Sequence, residues 1–136
     1  MIIENSNRGT VLGEAIEVAA TAVQRVRGLL GRDCLADGQG LLFKNCSSLH
    51  TFFMHFAIDI VYMDKAGKVL KSSAGVRPFK IVPAPLRAYY ALELPVGAID
   101  RSETRVGDHL RFMEELDAPT EAVRGIEAGE ASVTSA

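Results

Sequence analysis

Apolar residues recur along this chain in two rhythms, and the change between them divides it. Residues 10–20 (TVLGEAIEVAA) mix β-branched and small side chains around Gly13, the pattern of a first strand or of a hairpin bent at that glycine. Thr21 followed three residues later by Gln24 matches a capping box, in which the two side chains satisfy two free helix N–H groups. Val23, Val26 and Leu30 then recur at helical spacing, with Arg25, Arg27 and Arg32 mostly between them, which predicts a short N-terminal helix over about 22–33. Gly28 and Gly31 each weaken such a helix by ~1 kcal/mol relative to Ala, so they fit best where its backbone packs closely on something.

From residue 40 the rhythm is that of strands. GLLFKN (40–45) is a short apolar strand after the turn Asp37-Gly38-Gln39-Gly40. FAIDIVYMD (56–64) reads as a buried strand, KAG (65–67) as a hairpin loop, and 68–76 as the returning partner. Pro78, Pro83 and Pro85 predict a surface loop rather than a central strand. LRAYYALEL (86–94) alternates, with Leu86, Ala88, Tyr90, Leu92 and Leu94 opposite Arg87, Tyr89, Ala91 and Glu93, and Pro95 and Gly97 close it. A last strand, 109–114, follows the turn Val106-Gly107-Asp108. The expected architecture is α+β and β-rich: a mostly antiparallel, barrel-like or sandwiched sheet with one short N-terminal helix. It occupies a single domain, 1–116. Residues 117–136 contain no aromatic side chain, five alanines, and four acids against one Arg, the composition of a solvated, flexible tail.

Composition narrows the function classes. A chain of 136 residues is one domain, and 48% hydrophobic residues with a mean hydropathy of +0.13 supply a real core and exclude global disorder. The net charge of −2 is too balanced for wrapping double-stranded nucleic acid by bulk charge, so no such partner is expected. Two cysteines are too few for a disulfide-stapled secreted scaffold. The opening MIIENSNRGTVLGE has no basic cluster followed by an apolar stretch, and the longest strongly apolar run, 52–63, is interrupted by His55 and Asp59. That is short of the ~18–20 apolar residues of a membrane span, and a cytoplasmic location is expected.

Five motifs in series carry a resemblance: RVRGLLGRDCL (25–35), GLLF (40–43), CSSLHTFFMHFAIDIVYMDKAGKVL (46–70), YALELPVGAI (90–99) and VGDHL (106–110). In this order they resemble the domain-of-unknown-function 192 family over roughly residues 10–113. The resemblance implies a β-rich single domain and carries no activity with it. After Met54 the chain departs from the family pattern, with His55-Phe56-Ala57 where relatives often show a basic residue or Lys-Asn-Thr.

Several side chains are candidates for chemistry. Cys46, His50 and His55 form a C-x3-H-x4-H cluster of zinc-ligand types, but Cys34 and Asp59, the remaining fourth ligands, stand at no diagnostic spacing. Cys46 with His50 is also the better of two Cys–His nucleophile pairings, because Cys34 falls near a helix C-terminus, where the dipole disfavours a thiolate. Asp59 sits between Ile58 and Ile60 and needs a partner, for which Arg27, Arg87 or a histidine qualifies; Glu93, between Leu92 and Leu94, is in the same position. From Lys65 to Arg87 there are six basic residues and no acid, which suits either a solvated edge or an anion site. The expected function is a small binding or accessory module, leaning away from catalysis. Its polar pocket lies near residues 46–59 and draws on Arg27, His50, Thr51, Met54, His55, Asp59 and Glu93. A small molecule or a protein is the expected partner, and no cofactor is expected. The rival is a metal- or Cys-dependent enzyme built on Cys46, His50 and His55.

The tail gives the first prediction. Deleting 117–136 should leave the melting temperature nearly unchanged, and a loss of more than a few degrees in a thermal melt would mean that Val123 and Ile126 dock on the body.

Overall fold

The structure is a computed structural model and describes residues 1–19, 34–46, 48–51 and 54–114. The helix expected over 22–33, Arg27 and the tail 117–136 lie outside these residues. The strands are β1 (Ile2–Asn5), β2 (Thr10–Gly13), β3 (Ala15–Ala19), β4 (Gln39–Lys44), β5 (Leu49–His50), β6 (Ile58–Met63), β7 (Val69–Val76), β8 (Ile81–Val82), β9 (Tyr90–Pro95) and β10 (Leu110–Met113). One short helix, α1 (Ala98–Ser102), falls between the last two.

The main sheet has five strands in the order β3-β4-β9-β6-β7, antiparallel except for the parallel pair β3–β4. A three-stranded antiparallel sheet, β10-β1-β2, shares an apolar cluster with one of its faces. Among the described residues the sheets stay open and form no closed barrel, and the described helix follows β9.

Every residue of β6 is buried, and the period of two sends its side chains alternately to two cores. Val61 and Met63, with Leu42, Leu92 and Leu94, meet Ile3, Leu12 and Leu110 of the smaller sheet and Ala98 and Ile99 of α1. Ile58, Ile60 and Tyr62, with Leu41, Phe43 and Ala91, face a second cluster capped by Met54 and Val82. The alternation expected over 86–94 holds from Tyr90 onward, with Tyr90, Leu92 and Leu94 in the first cluster and Ala91 in the second, and fails before it. The strand begins only at Tyr90, and its residues from Ala91 to Pro95 are all buried because β9 lies between β4 and β6. Residues 85–88 instead form a turn, with Arg87 in the left-handed region at φ 75°.

The β6–β7 connection follows its sequence closely. Asp64 accepts the backbone N–H groups of Ala66 and Lys68 at 2.9 Å each, and the Gly67 N–H donates to the Asp64 carbonyl at 3.0 Å. Gly67 has φ 86°, and a Cβ there would lie 2.5 Å from the Leu110 carbonyl oxygen, so only glycine fits this seam between the sheets. At the same seam, where the Asp108 carbonyl accepts the Val69 N–H, the Asp108 carboxylate accepts hydrogen bonds from Arg8, Asn5 and the Arg105 amide. Arg8 foremost holds its carboxyl down at about 2.

Asp59 is fully buried, as its apolar neighbours require. Its described partners are backbone amides: Oδ1 accepts from Gly75 at 2.8 Å, and Oδ2 from Gly97 at 3.2 Å and Ile99 at 3.0 Å. The expected pairing with Arg87 or a histidine gives way to this one. A carboxylate accepting several N–H bonds is satisfied without a counter-charge. Gly97 is the N-cap of α1 and has no side chain to cap it, so Asp59, reaching from β6, supplies the acceptor that the first turn lacks.

Asp59→Ala should therefore destabilise the fold by about 3–5 kcal/mol, because the amides it serves lose their acceptor. Asp59→Asn keeps an acceptor for one side only and should fall between parent and Ala. Chemical denaturation midpoints of the three proteins check this; a near-neutral Ala variant would show that water replaces the carboxylate.

Candidate functional site

The second face of the main sheet carries most of the polar groups singled out in the sequence. Segment 48–51 lies across it as β5, which pairs with β8 through Leu49↔Val82 and His50↔Ile81. Tyr62 fixes this two-stranded ribbon to the sheet. Its hydroxyl donates to the Val82 carbonyl at 2.6 Å and accepts the Leu49 N–H at 2.9 Å, one bond to each strand. Burial pushes the phenol up to about 12; the bond from Leu49 pulls it down, while Cys46 and Glu93 push it up further by electrostatics. Nothing in the sequence marks Tyr62 as more than core, since a tyrosine in an apolar run reads as an apolar residue.

Thr51 is a latch. Its hydroxyl donates to the Arg77 carbonyl at 2.6 Å and accepts the Lys80 N–H at 2.9 Å. Its N–H donates to the Lys80 carbonyl at 2.8 Å, and its carbonyl accepts from Phe79 at 2.9 Å. The 77–80 segment is thereby held in one conformation, including Phe79 at φ 64°. Met54 is buried in the second core, whereas His50 and His55 are exposed and Cys46 is half-buried. Glu93 is buried on this same face, paired in register with Leu41 and Ile60.

Asp59 is not part of this group. It pairs in register with Leu94, one residue out of phase with Glu93, and so points to the opposite face, toward α1. The pocket expected around 46–59 is thus split by the sheet, and the hydrogen bonds of Thr51 and Asp59 go to backbone. Among the described residues no group of three His, Cys, Asp or Glu side chains is placed to hold a metal ion, so Cys46, His50 and His55 are not assembled into one.

A concavity of about 560 Å³ opens beside the start of this segment, lined by Asn45, Asp64, Lys65, Ala66, Arg87, Ala88 and Tyr89. The Tyr89 backbone fixes its floor, donating to the Met63 carbonyl at 2.8 Å and accepting from the Cys46 N–H at 3.2 Å. The Lys65 ammonium lies 5.3 Å from the centre of the Tyr89 ring, within cation–π range, and Tyr90 meets that ring edge-on at 4.8 Å. Asn45 and Arg87, both lining it, have positive φ, 52° and 75°. Sequence reading missed this cleft because its walls come from three separate segments; the only available signals were the DKAG turn and the acid-free basic run.

The model of the family DUF192, described as "Uncharacterized ACR", matches residues 3–112. The chain belongs to that family. Two similar DUF192-type relatives are UPF0127 proteins. One, from Thermococcus sibiricus, is 28% identical over 133 residues, covering 90% of this chain and 84% of the relative. The other, from Pyrococcus abyssi, is 25% identical, covering 82% and 97%. Among solved structures, a protein of unknown function from Novosphingobium aromaticivorans superposes with a TM-score of 0.70 at 21% identity, covering 82% of each chain. That likeness is one of fold. The DUF192 assignment confirms the resemblance read from the five motifs. No helix among the described residues is long and apolar enough to cross a membrane.

Tyr62→Phe should cost about 1–3 kcal/mol, because Leu49 and Val82 each lose a partner at once. The pH dependence has a defined sign. A phenol that ionises at about 12 in the fold but near 10 in the unfolded chain adds stability that is intact below pH 10 and lost as pH rises toward 12. Alkaline thermal melts should show a shallower decline for Tyr62→Phe than for the parent above pH 10; parallel curves would place the phenol in water.

Proposed function

We propose that this DUF192 protein is a small binding module, rather than a catalyst, and that it takes an anionic partner on the side formed by the β6–β7 turn and the β7–β9 connection. The observation that carries the reading is the segregation of charge. In a chain of net charge −2, the run from Lys65 to Tyr89 holds six basic residues and no acid. Lys65, Lys68, Arg77, Lys80 and Arg87 are exposed. Lys71 donates to the Pro83 carbonyl at 3.0 Å and ties the connection back to β7. Phe79 and Ile81, each 63% exposed, and Leu86, 90% exposed, stand among these cations. Exposed apolar groups among charges of one sign, on a backbone clamped by Thr51, suit contact with a partner better than solvation alone. The polar residues of 46–59 border this side through Cys46 and His50. A cytoplasmic site of action belongs to the same proposal, since Cys34 and Cys46 are not joined in a disulfide.

The test is a thermal-shift panel of metals, nucleotides, sugars and inorganic anions at low and high salt. Anionic compounds should raise the melting temperature, by an amount corresponding to ~2.7 kcal/mol at a hundredfold excess over Kd, and the gain should shrink with salt. Stoichiometric zinc or iron retained through purification would overturn the reading in favour of a metal-dependent enzyme built on Cys46, His50 and His55.

A further inference from the structure

We infer that the cleft between Lys65 and Arg87 is a binding site for a small ligand carrying both a phosphate group and hydroxyl donors, the chemistry shared by sugar phosphates and mononucleotides. The inference rests on the anion-binding reading above and gives it a pocket. A concavity of about 560 Å³ lies within the range that holds such ligands. Its two cations come from separate segments, Lys65 in the β6–β7 turn and Arg87 before β9. An ammonium and a guanidinium facing one space are the pair that a phosphate uses, the guanidinium fork adding bidentate geometry.

Asp64 distinguishes this site from a bare anion hole. One carboxyl oxygen, Oδ1, is occupied by the Ala66 and Lys68 amides, and the residue lines the same cleft as the cations. An acid beside a phosphate site is unfavourable unless the ligand brings donors for it. Sugar hydroxyls do so.

The backbone supplies an independent observation. The Ala88 N–H donates to the Pro85 carbonyl at 3.1 Å, closing a turn in which Arg87 is the third residue at φ 75°. That position in a type II turn calls for glycine. A sequence under selection for stability alone would place Gly there; an arginine instead stores strain at the point where its side chain reaches the cleft. Asn45, which also lines the cleft, holds a second left-handed conformation at φ 52°. The Tyr89 ring lines the same cleft with the Lys65 ammonium over it at 5.3 Å, so the ring helps to hold that cation at the site.

Calorimetric titration of the full chain at low salt tests this with inorganic phosphate, ribose 5-phosphate, adenosine 5′-monophosphate and unphosphorylated ribose. The phosphorylated sugars should bind at least tenfold more tightly than inorganic phosphate, and ribose should not bind. A further gain for the adenylate over ribose 5-phosphate assigns the natural ligand to the nucleotides, and equal affinity assigns it to the sugar phosphates; both support the site. Arg87→Gly should melt at a higher temperature than the parent and bind ribose 5-phosphate at least tenfold more weakly. Asp64→Asn, which keeps the turn acceptor, should narrow the preference for ribose 5-phosphate over phosphate. Lys80→Gln, on the same basic run but outside the cleft, should bind as the parent does. Unchanged binding in Arg87→Gly, or an equal loss in Lys80→Gln, overturns the cleft and leaves the broader anion-binding reading standing. Failure of every anion to bind overturns both.

Discussion

A strand buried on both faces has nowhere to put a polar atom except against another part of the chain, and β6 meets that constraint twice. Asp59 points to one face and takes amides from the end of β7 and from the start of α1. Tyr62 points to the other, accepting a bond from one strand of the β5–β8 ribbon and donating one to the other. Neither group is tolerable in this strand alone, and each becomes so only when its own layer has docked. The two polar residues therefore act as fasteners, one per face, and what they fasten is specific: a carboxylate selects a helix start and a strand end, a phenol selects a paired ribbon. Apolar packing holds the layers against the sheet, while these bonds fix where on the sheet they sit.

This also explains which parts of the fold were legible beforehand. β4, β6, β7 and β10 are marked by local apolar runs and bounded by turn residues, so their positions follow from the sequence. The parallel pairing of β3 with β4 leaves no local mark, and four residues, IIEN, are too short to announce β1. Helix α1 was missed because its capping group lies 38 residues or more upstream in sequence, on β6. The stretch 86–94 keeps its alternation only from Tyr90, where β9 begins, because the residues before it are diverted into a turn. The candidate site was read in the same uneven way. Burial of Asp59 followed from its neighbours, but the identity of its partners did not, because backbone amides have no sequence signature. Thr51 was picked out for its polarity and proves to be the residue that holds the 77–80 segment.

The contrast between interior and basic side is informative. Inside, every polar group that the sequence flagged is matched by a donor or acceptor. Among the described residues no buried side-chain nitrogen or oxygen lacks a partner. On the β7–β9 connection the chain does the reverse: it holds Phe79 and Arg87 in left-handed conformations and leaves Phe79, Ile81 and Leu86 in solvent. A fold this careful with its interior has the means to relax such features, and Gly at a single position would relax one of them.

The pairing of β1 with β10 joins Ile2 to Met113 and Asn5 to Leu110. The smaller sheet is thus assembled from strands more than a hundred residues apart in sequence, and closing that loop costs entropy before any contact repays it. During synthesis β1 must wait, unpaired on that edge, until β10 has left the ribosome. The five-stranded sheet, whose strands all precede residue 96, can form first and offer the apolar face on which the ends of the domain later meet.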